Sequence, residues 1–272
     1  MLCEFDYLEP TTLADVLEIL GQGDAGVRIL AGGTDLLVNI RAGLITPKAL
    51  VNIKKTAGLD TFAFHPDRGL EIGPAVTINQ LITNTEIARR YPLLEQCAEM
   101  LASYQLRNRA TVIGNIVNAS PSADMAPALL CYRAKLTLTS KRGSRKVGIA
   151  EFFTGVKKTV LAADEIVEKI TIPASEADGK GGYAKLKRIK GHDLGIVGVA
   201  LHKKQDYIRI AVSASAPTPI LAPDFQAKDS PDYIAEQVLA AIKPIDDIRS
   251  SREYRRFMAS VFVKRLLEEV RA

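Results

Sequence analysis

Ile29-Leu30-Ala31-Gly32-Gly33-Thr34-Asp35-Leu36-Leu37 is the stretch from which the fold can be read. Apolar Val27, Ile29 and Leu30 lead into two adjacent glycines, and Thr34 and Asp35 then open a segment with Leu36, Leu37 and Ile40 at helical spacing. The pattern predicts strand, tight turn, helix start. Glycine lets the backbone take a positive φ and, lacking a Cβ, admits a ligand closely. The first N–H groups of a helix lack intrahelical acceptors and carry the positive end of its dipole, so the turn is in principle a phosphate cradle. The plain alternative is an ordinary Gly-Gly turn with Thr34 or Asp35 as helix cap. Neither a Walker loop nor a G-x-G-x-x-G fingerprint is present.

Around this turn the pattern predicts a short strand at 3–7 and a helix opened by Pro10 and Thr11-Thr12, with Leu13, Val16, Leu17 and Leu20 on one face. A strand at 49–53 follows, giving a compact β-α-β unit of roughly fifty residues. From about Leu59 the texture changes. Paired strands are expected at 61–64 and 70–73, then a helix capped by Thr77, a second at 85–90 and a third at 92–103. Residues 110–124, ATVIGNIVNASPSAD, read as a long polar loop between apolar helical segments. Thr111, Asn115, Asn118 and Asp124 could serve one large polar ligand from it; the alternative is a capped interhelical loop. Alternating strands at 135–139, 145–149 and 165–172 predict an antiparallel sheet with one covered face. Residues 174–182 read as a linker. Three further strands are expected at 183–190, 195–203 and 207–213. Helices at 231–242 and 252–270 follow, the last carrying Phe257, Val261, Leu266, Leu267 and Val270 on its apolar side.

Composition narrows the function. The chain has 272 residues, 47% of them hydrophobic and 25% charged, as in a packed protein of one to three domains. Its apolar runs fall well short of the roughly 18–20 residues that cross a bilayer, and the first residues lack the basic and apolar regions of a secretion signal. Cys3, Cys97 and Cys131 are odd in number and widely spaced, which fits a reducing cytoplasm and argues against a disulfide framework, a zinc site or an iron–sulfur site. The net charge is +5, with its densest cluster at 141–146, read as a hairpin tip. Aromatics do not interleave with these charges, so no nucleic-acid surface is expected. Neither a nucleophile–base pair nor a pair of carboxylates suggests hydrolysis, and no catalytic residue is assigned.

Taken together, Ala31-Gly32-Gly33-Thr34-Asp35-Leu36, then Ala110-Thr111-Val112-Ile113-Gly114-Asn115-Ile116 with Pro121-Ser122-Ala123-Asp124, then Tyr183-Ala184-Lys185 with Arg188, Asp193 and Val197-Gly198-Val199-Ala200, resemble the FAD-binding medium subunits of the molybdenum hydroxylases. This is the xanthine dehydrogenase, carbon monoxide dehydrogenase and 4-hydroxybenzoyl-CoA reductase group, and the resemblance spans essentially the whole chain. It implies an α+β fold: an FAD-binding domain at 1–174, with subdomains of about 1–57 and 58–174, and a C-terminal domain at 183–272 with a three-stranded sheet and helical bundle. It implies FAD between the two subdomains, its pyrophosphate held by Ile29, Leu30, Ala31, Gly32, Gly33, Thr34, Asp35 and Leu36. Thr111, Gly114, Asn115, Asn118 and Asp124 would bind from the other side. Ile166 or Val167 would flank the flavin, Lys185 would place a positive charge near its pyrimidine end, with a surface strand lysine as the alternative, and His192 and Asp193 could face its edge. Ile113 stands where the family's Thr-x-Gly-Gly-Asn has its first glycine, so a locally shifted loop is expected. [2Fe–2S] clusters on a small partner subunit and molybdopterin on a large one are implied, as a dimer of heterotrimers delivering electrons to NAD or another acceptor. The 141–146 turn and the helix around Arg252, Arg255 and Arg256 are candidate contact surfaces. A stand-alone FAD oxidoreductase of the same fold and an interaction module that has lost FAD remain as other readings.

Overall fold

The computed structural model describes residues 3–271. Its first unit is a small parallel sheet. Strand β1 (Asp6–Leu8) leads to helix α1 (Leu13–Gly21), β2 (Val27–Leu30), α2 (Leu36–Arg41) and β3 (Ala49–Asn52), and β3 lies between β1 and β2. Thr12 opens α1 with a capping box, its hydroxyl accepting from the Asp15 N–H while Asp15 reaches back. Val16 and Leu20 of α1 pack on Val51 and Ile53.

The second unit begins with the hairpin β4 (Phe62–His65) and β5 (Gly69–Ile72) and continues through α3 (Ile78–Thr83), α4 (Thr85–Arg90) and α5 (Pro92–Glu99). Next come α6 (Tyr104–Arg107), α7 (Val112–Val117) and α8 (Met125–Cys131). Strands β6 (Lys135–Ser140) and β7 (Gly143–Gly148), the short α9 (Ile149–Phe152), the hairpin β8 (Phe153–Gly155) and β9 (Lys158–Thr159), and β10 (Ile166–Ile172) complete it. The antiparallel sheet runs β4-β5-β10-β6-β7. Residues 92–103 are not one helix: α5 stops at Glu99 and Ser103 caps the separate α6. Nor are residues 110–124 an uninterrupted loop. Thr111 caps α7, whose Val112, Ile113 and Ile116 are buried.

The third unit is the antiparallel sheet of β11 (Lys180–Leu186), β12 (Val197–Lys204) and β13 (Tyr207–Ser213). Two two-residue strands missing from the expected three, β14 (Ile220–Leu221) and β15 (Phe225–Gln226), pair with β13. Side chains alternate along these strands. Val197, Val199, Leu201, Ile208, Ile210 and Val212 form a core with helices α10 (Pro231–Ala241) and α11 (Arg252–Arg271), whereas Ala200 and Ala211 belong to the core of the second unit with all of α8. The inward stripe of α11 is Arg255, Ala259, Phe262, Val263, Leu266, Leu267 and Val270, so Phe257, expected inside, is 62% exposed. Among the described residues no helix is long and apolar enough to cross a membrane.

Residues 174–182, expected as a linker, are built into the structure. A 3-10 turn at Ala174–Glu176 sends the buried Glu176 against the third sheet, and β11 already begins at Lys180. The Glu176 carboxylate lies 2.8 Å from Arg209 Nη1 and 3.3 Å from His202 Nε2, and accepts the Tyr207 hydroxyl at 2.7 Å. Burial alone would push this carboxyl up, but bonds from His202, Tyr207 and Arg209 outweigh it and bring it down to about 2. A depressed carboxyl stabilises the fold above its unfolded value of 4.5 and loses that contribution as pH falls toward 2. Glu176→Ala, which leaves Arg209 buried without its nearest counter-charge, is expected to cost about 3 kcal/mol at pH 7. Its stability deficit against the wild type should shrink below pH 4.5. Urea unfolding of both proteins at pH 7 and at pH 3 measures this, and an equal deficit at the two pH values would contradict it.

Candidate functional site

At the C-terminal edge of the small sheet the chain leaves β2 at Leu30 and turns through residues 31–35 into α2. Gly33 adopts φ +75°, and a Cβ there would stand 2.9 Å from Leu30 Cδ1 and 3.2 Å from Leu37 Cδ1. Gly32 is needed for a different reason. Its Cβ would fall 2.2 Å from the Arg109 carbonyl oxygen and 3.0 Å from Ala110 Cα, so the two stretches singled out in the sequence lie backbone against backbone. The Leu37 and Asn39 N–H groups return to Gly33 and Asp35 carbonyls. The N–H groups of Gly32, Gly33, Thr34, Asp35 and Leu36 meet no acceptor among the described residues. A run of unpaired main-chain donors in a half-buried turn suits an anionic ligand.

Asp35 occupies the N-cap position of α2 without capping it; its carboxylate accepts from Asn118 Nδ2 at 2.8 Å. Asn118 Oδ1 in turn accepts from Lys157 Nζ at 2.7 Å, so a chain of side chains from the β8–β9 turn bridges the first two units. Thr111 Oγ1 accepts the Gly114 N–H at 3.0 Å, and a Cβ at Gly114 would crowd that hydroxyl at 2.8 Å. Asn115 Oδ1 accepts the Met125 N–H at 3.2 Å and so joins α7 to α8. Ile113 sits in the first turn of α7, 4% exposed and outside the left-handed region. The segment starts as a regular helix, in place of the shifted loop its missing glycine suggested.

Asp124 is 8% exposed, with Oδ1 2.6 Å from Lys185 Nζ and accepting the Tyr183 hydroxyl at 3.3 Å. Lys185, with a side chain 2% exposed, also donates to the Met100 carbonyl at 3.2 Å, so it is a buried cation and not a surface lysine. Burial pushes the Asp124 carboxyl up, only partly opposed by the Lys185 charge and hydrogen bond. Ile166 and Val167 are each 2% exposed. Ile166 packs in the core of the first unit with Val16, Val51 and Ile53, and Val167 in that of the second. His192 is exposed, and Asp193 gives its carboxylate to Arg188 at 2.9 Å, which holds it well below the usual range.

Neither proposed contact surface is a field of free cations. In the hairpin turn, Lys141 meets Glu18, Arg142 meets Asp164 and Arg145 meets Glu165. On α11, Arg252 meets Asp246, and Arg255, expected on the surface, is 1% exposed, 2.6 Å from Asp247 and bonded to the Ile196 and Ala214 carbonyls. Arg256 donates to the Leu239 carbonyl. The residues that sequence reasoning missed are Lys54, Arg109 and Lys157. Lys54 Nζ donates to the Ala31 carbonyl at 3.1 Å, and burial together with the Arg109 charge lowers its pKa against a smaller opposing effect of Glu9. The available signal was position. Lys54 follows the C-terminal end of the central parallel strand, the edge where open α/β sheets hold ligands.

Residues 3–175 match the family described as FAD binding domain in molybdopterin dehydrogenase, and residues 182–270 match the CO dehydrogenase flavoprotein C-terminal domain. The xanthine dehydrogenase FAD-binding subunit of Escherichia coli O157:H7 is 33% identical, over 97% of this chain and 94% of that one. The carbon monoxide dehydrogenase medium chain of Hydrogenophaga pseudoflava is 30% identical, over 97% and 96%. In three dimensions the chain superposes on a solved carbon monoxide dehydrogenase from Hydrogenophaga pseudoflava with a TM-score of 0.90 at 28% identity, covering 99% of this chain and 98% of that one.

Replacing Asp124 by Ala strands the Lys185 ammonium in the interior with a single carbonyl partner, at an expected cost of about 3–5 kcal/mol in folding stability. The double variant Asp124→Ala with Lys185→Met should recover part of the loss. Denaturant unfolding decides the matter: if the single variant unfolds at the wild-type midpoint, the pair contributes nothing to the fold.

Proposed function

The chain belongs to the family of FAD-binding domains in molybdopterin dehydrogenases, and from that premise we propose that it is the electron-transferring medium subunit of a molybdenum hydroxylase complex. The observation that carries this reading is the run of unpaired N–H groups at 32–36 set against the Arg109–Asn115 segment. These N–H groups would take the FAD pyrophosphate, with Ile29, Leu30 and Ala31 shaping the approach. Gly114 keeps the opposite wall low, while the Thr111 hydroxyl and Asn115 Nδ2 face the ligand as donors. Asn118, tied to Asp35 and Lys157, spans the two walls. Asp124 would act mainly by holding Lys185 and the start of α8, and Lys185 would supply positive charge behind the ring. Buried Ile166 and Val167 form packing beneath the flavin.

Bound flavin accepts electrons one or two at a time, which makes it an exchange point between other redox centres and a soluble acceptor. The chain's own residues bind it, orient it and set the charge around it. We further propose a small partner with [2Fe–2S] clusters and a large partner with molybdopterin, assembled as a dimer of heterotrimers, with NAD or another acceptor taking the electrons. The substrate would then be oxidised on the large subunit. The three unpaired cysteines suit a cytoplasmic complex. We place the boundary between the FAD domain and the C-terminal domain within residues 175–182, where the two family matches leave off and resume.

Purified chain should carry FAD that denaturation releases in full, since neither loop holds a histidine or cysteine to form a covalent link. Gly33→Val imposes about 1–3 kcal/mol of backbone strain and drives a Cβ against Leu30 and Leu37, which displaces the turn that carries the cradle N–H groups. Its flavin content should fall to a small fraction of wild type while circular dichroism stays native. Wild-type flavin content in a folded Gly33→Val protein would remove the turn from the site.

Native purification from the source cells should bring down two partners, one with iron–sulfur absorption and one with molybdenum. A chain that runs alone and oxidises a substrate unaided would instead be a self-contained FAD oxidoreductase.

A further inference from the structure

We propose that Lys54 and Arg109 form a cationic clamp on the diphosphate of the bound dinucleotide, a pair of recognition residues that rests on the FAD reading and adds charge to the main-chain donors of the glycine turn. The two come from different units. Lys54 follows β3, and Arg109 lies between α6 and α7. Both converge on the glycine turn: Lys54 Nζ holds the Ala31 carbonyl at 3.1 Å, and the Arg109 backbone abuts Gly32. Neither forms an ion pair among the described residues, and the Arg109 guanidinium, exposed to solvent, makes no hydrogen bond there either. They are near enough to each other for Arg109 to lower the pKa of Lys54.

Two like charges held together without an anion are unfavourable. Lys141, Arg142 and Arg145 of the hairpin and Arg252 and Arg255 on α11 each meet a carboxylate. The acidic groups around the turn are committed to other partners. Glu9 accepts from Asn52 Nδ2 at 3.0 Å and lies 3.7 Å from Lys55, and Asp35 accepts from Asn118. An anion beside residues 32–36 would relieve the repulsion. Guanidinium presents parallel N–H donors that match phosphate oxygens, and the two N–H groups that Lys54 does not give to Ala31 remain available. A dinucleotide diphosphate, with both phosphates ionised at neutral pH, supplies that charge.

The test uses the full chain freed of flavin, titrated calorimetrically with FAD, ADP and inorganic pyrophosphate at low and at high NaCl. Wild-type affinity should fall as salt rises, because the clamp acts through charge. Lys54→Gln and Arg109→Gln should each weaken FAD and ADP about tenfold at low salt and flatten the salt dependence, while Lys54→Arg stays close to wild type. Variants that match wild type at low salt overturn the clamp. For Lys54, an equal loss at every salt concentration also overturns it, since a residue that only anchors the Ala31 carbonyl would behave that way. Wild-type chain that takes up ADP and pyrophosphate but no FAD would leave the clamp standing and sink the flavin reading. Chain that binds none of the three sinks both.

Discussion

Everything at the site depends on the absence of a side chain at residue 32. With the Arg109 carbonyl oxygen 2.2 Å from where a Cβ would stand, any other residue forces the two stretches apart. That contact brings the C-terminal edge of a small parallel sheet to the entry of α7, whose first turn is tied to the neighbouring helix by the Ile78 N–H to Ala110 carbonyl and Val112 N–H to Val76 carbonyl bonds. The glycine therefore does more than permit a turn. It fixes how closely the two units approach at this edge, and so the width of whatever lies between them.

Buried charge does the corresponding work between the second and third units. Asp124 opens α8, whose residues Met125–Cys131 are all buried, and Lys185 reaches it from β11. Glu176 and Arg209 repeat the arrangement at the other end of the same contact, where Arg209 also donates to the Cys131 carbonyl at 3.1 Å. Ion pairs in such places add little net stability over apolar packing, but breaking one is costly. They tie the third sheet to the start and the end of α8. Gln96 of α5 completes it by accepting from the Tyr183 N–H and donating to the Gly181 carbonyl, which pairs the backbone of edge strand β11.

The parts of the fold legible in the sequence were those whose signal is local. Periodicity and capping residues placed α1, α3 and α4 and the longer strands of the three main sheets within a few residues. The polar composition of 110–124 hid α7, although Thr111 followed by apolar residues at 112, 113, 116 and 117 carries a helix signature. Strands β14 and β15 escaped because two residues between prolines carry no period. Tertiary context decided the rest. Arg255 is buried because Asp247 and two carbonyls await it, and Phe257 is left outside because α11 turns a different stripe inward. The residues nominated for the site were in part brought together: Gly32 and Gly33 meet the 109–118 segment, but Ile166 and Val167 lie in core packing. Lys54 and Arg109 were invisible because a surface cation has no local pattern that says which of its neighbours will lack a carboxylate.

The polarity of the second wall follows from how its side chains are spent. Thr111 uses its oxygen to accept the Gly114 N–H, which leaves its hydroxyl proton to donate. Asn115 gives its oxygen to the Met125 N–H and keeps its Nδ2 hydrogens. In both residues a side-chain oxygen is used within the protein. The first wall arrives at the same result through main-chain N–H groups alone, since the carbonyls of Gly33 and Asp35 are taken by the next turn of α2. The N–H groups of residues 32–36 are therefore held in place before any ligand arrives. A ligand rich in acceptor oxygens loses little by leaving water for such a place, because the donors are already oriented and need not be reorganised.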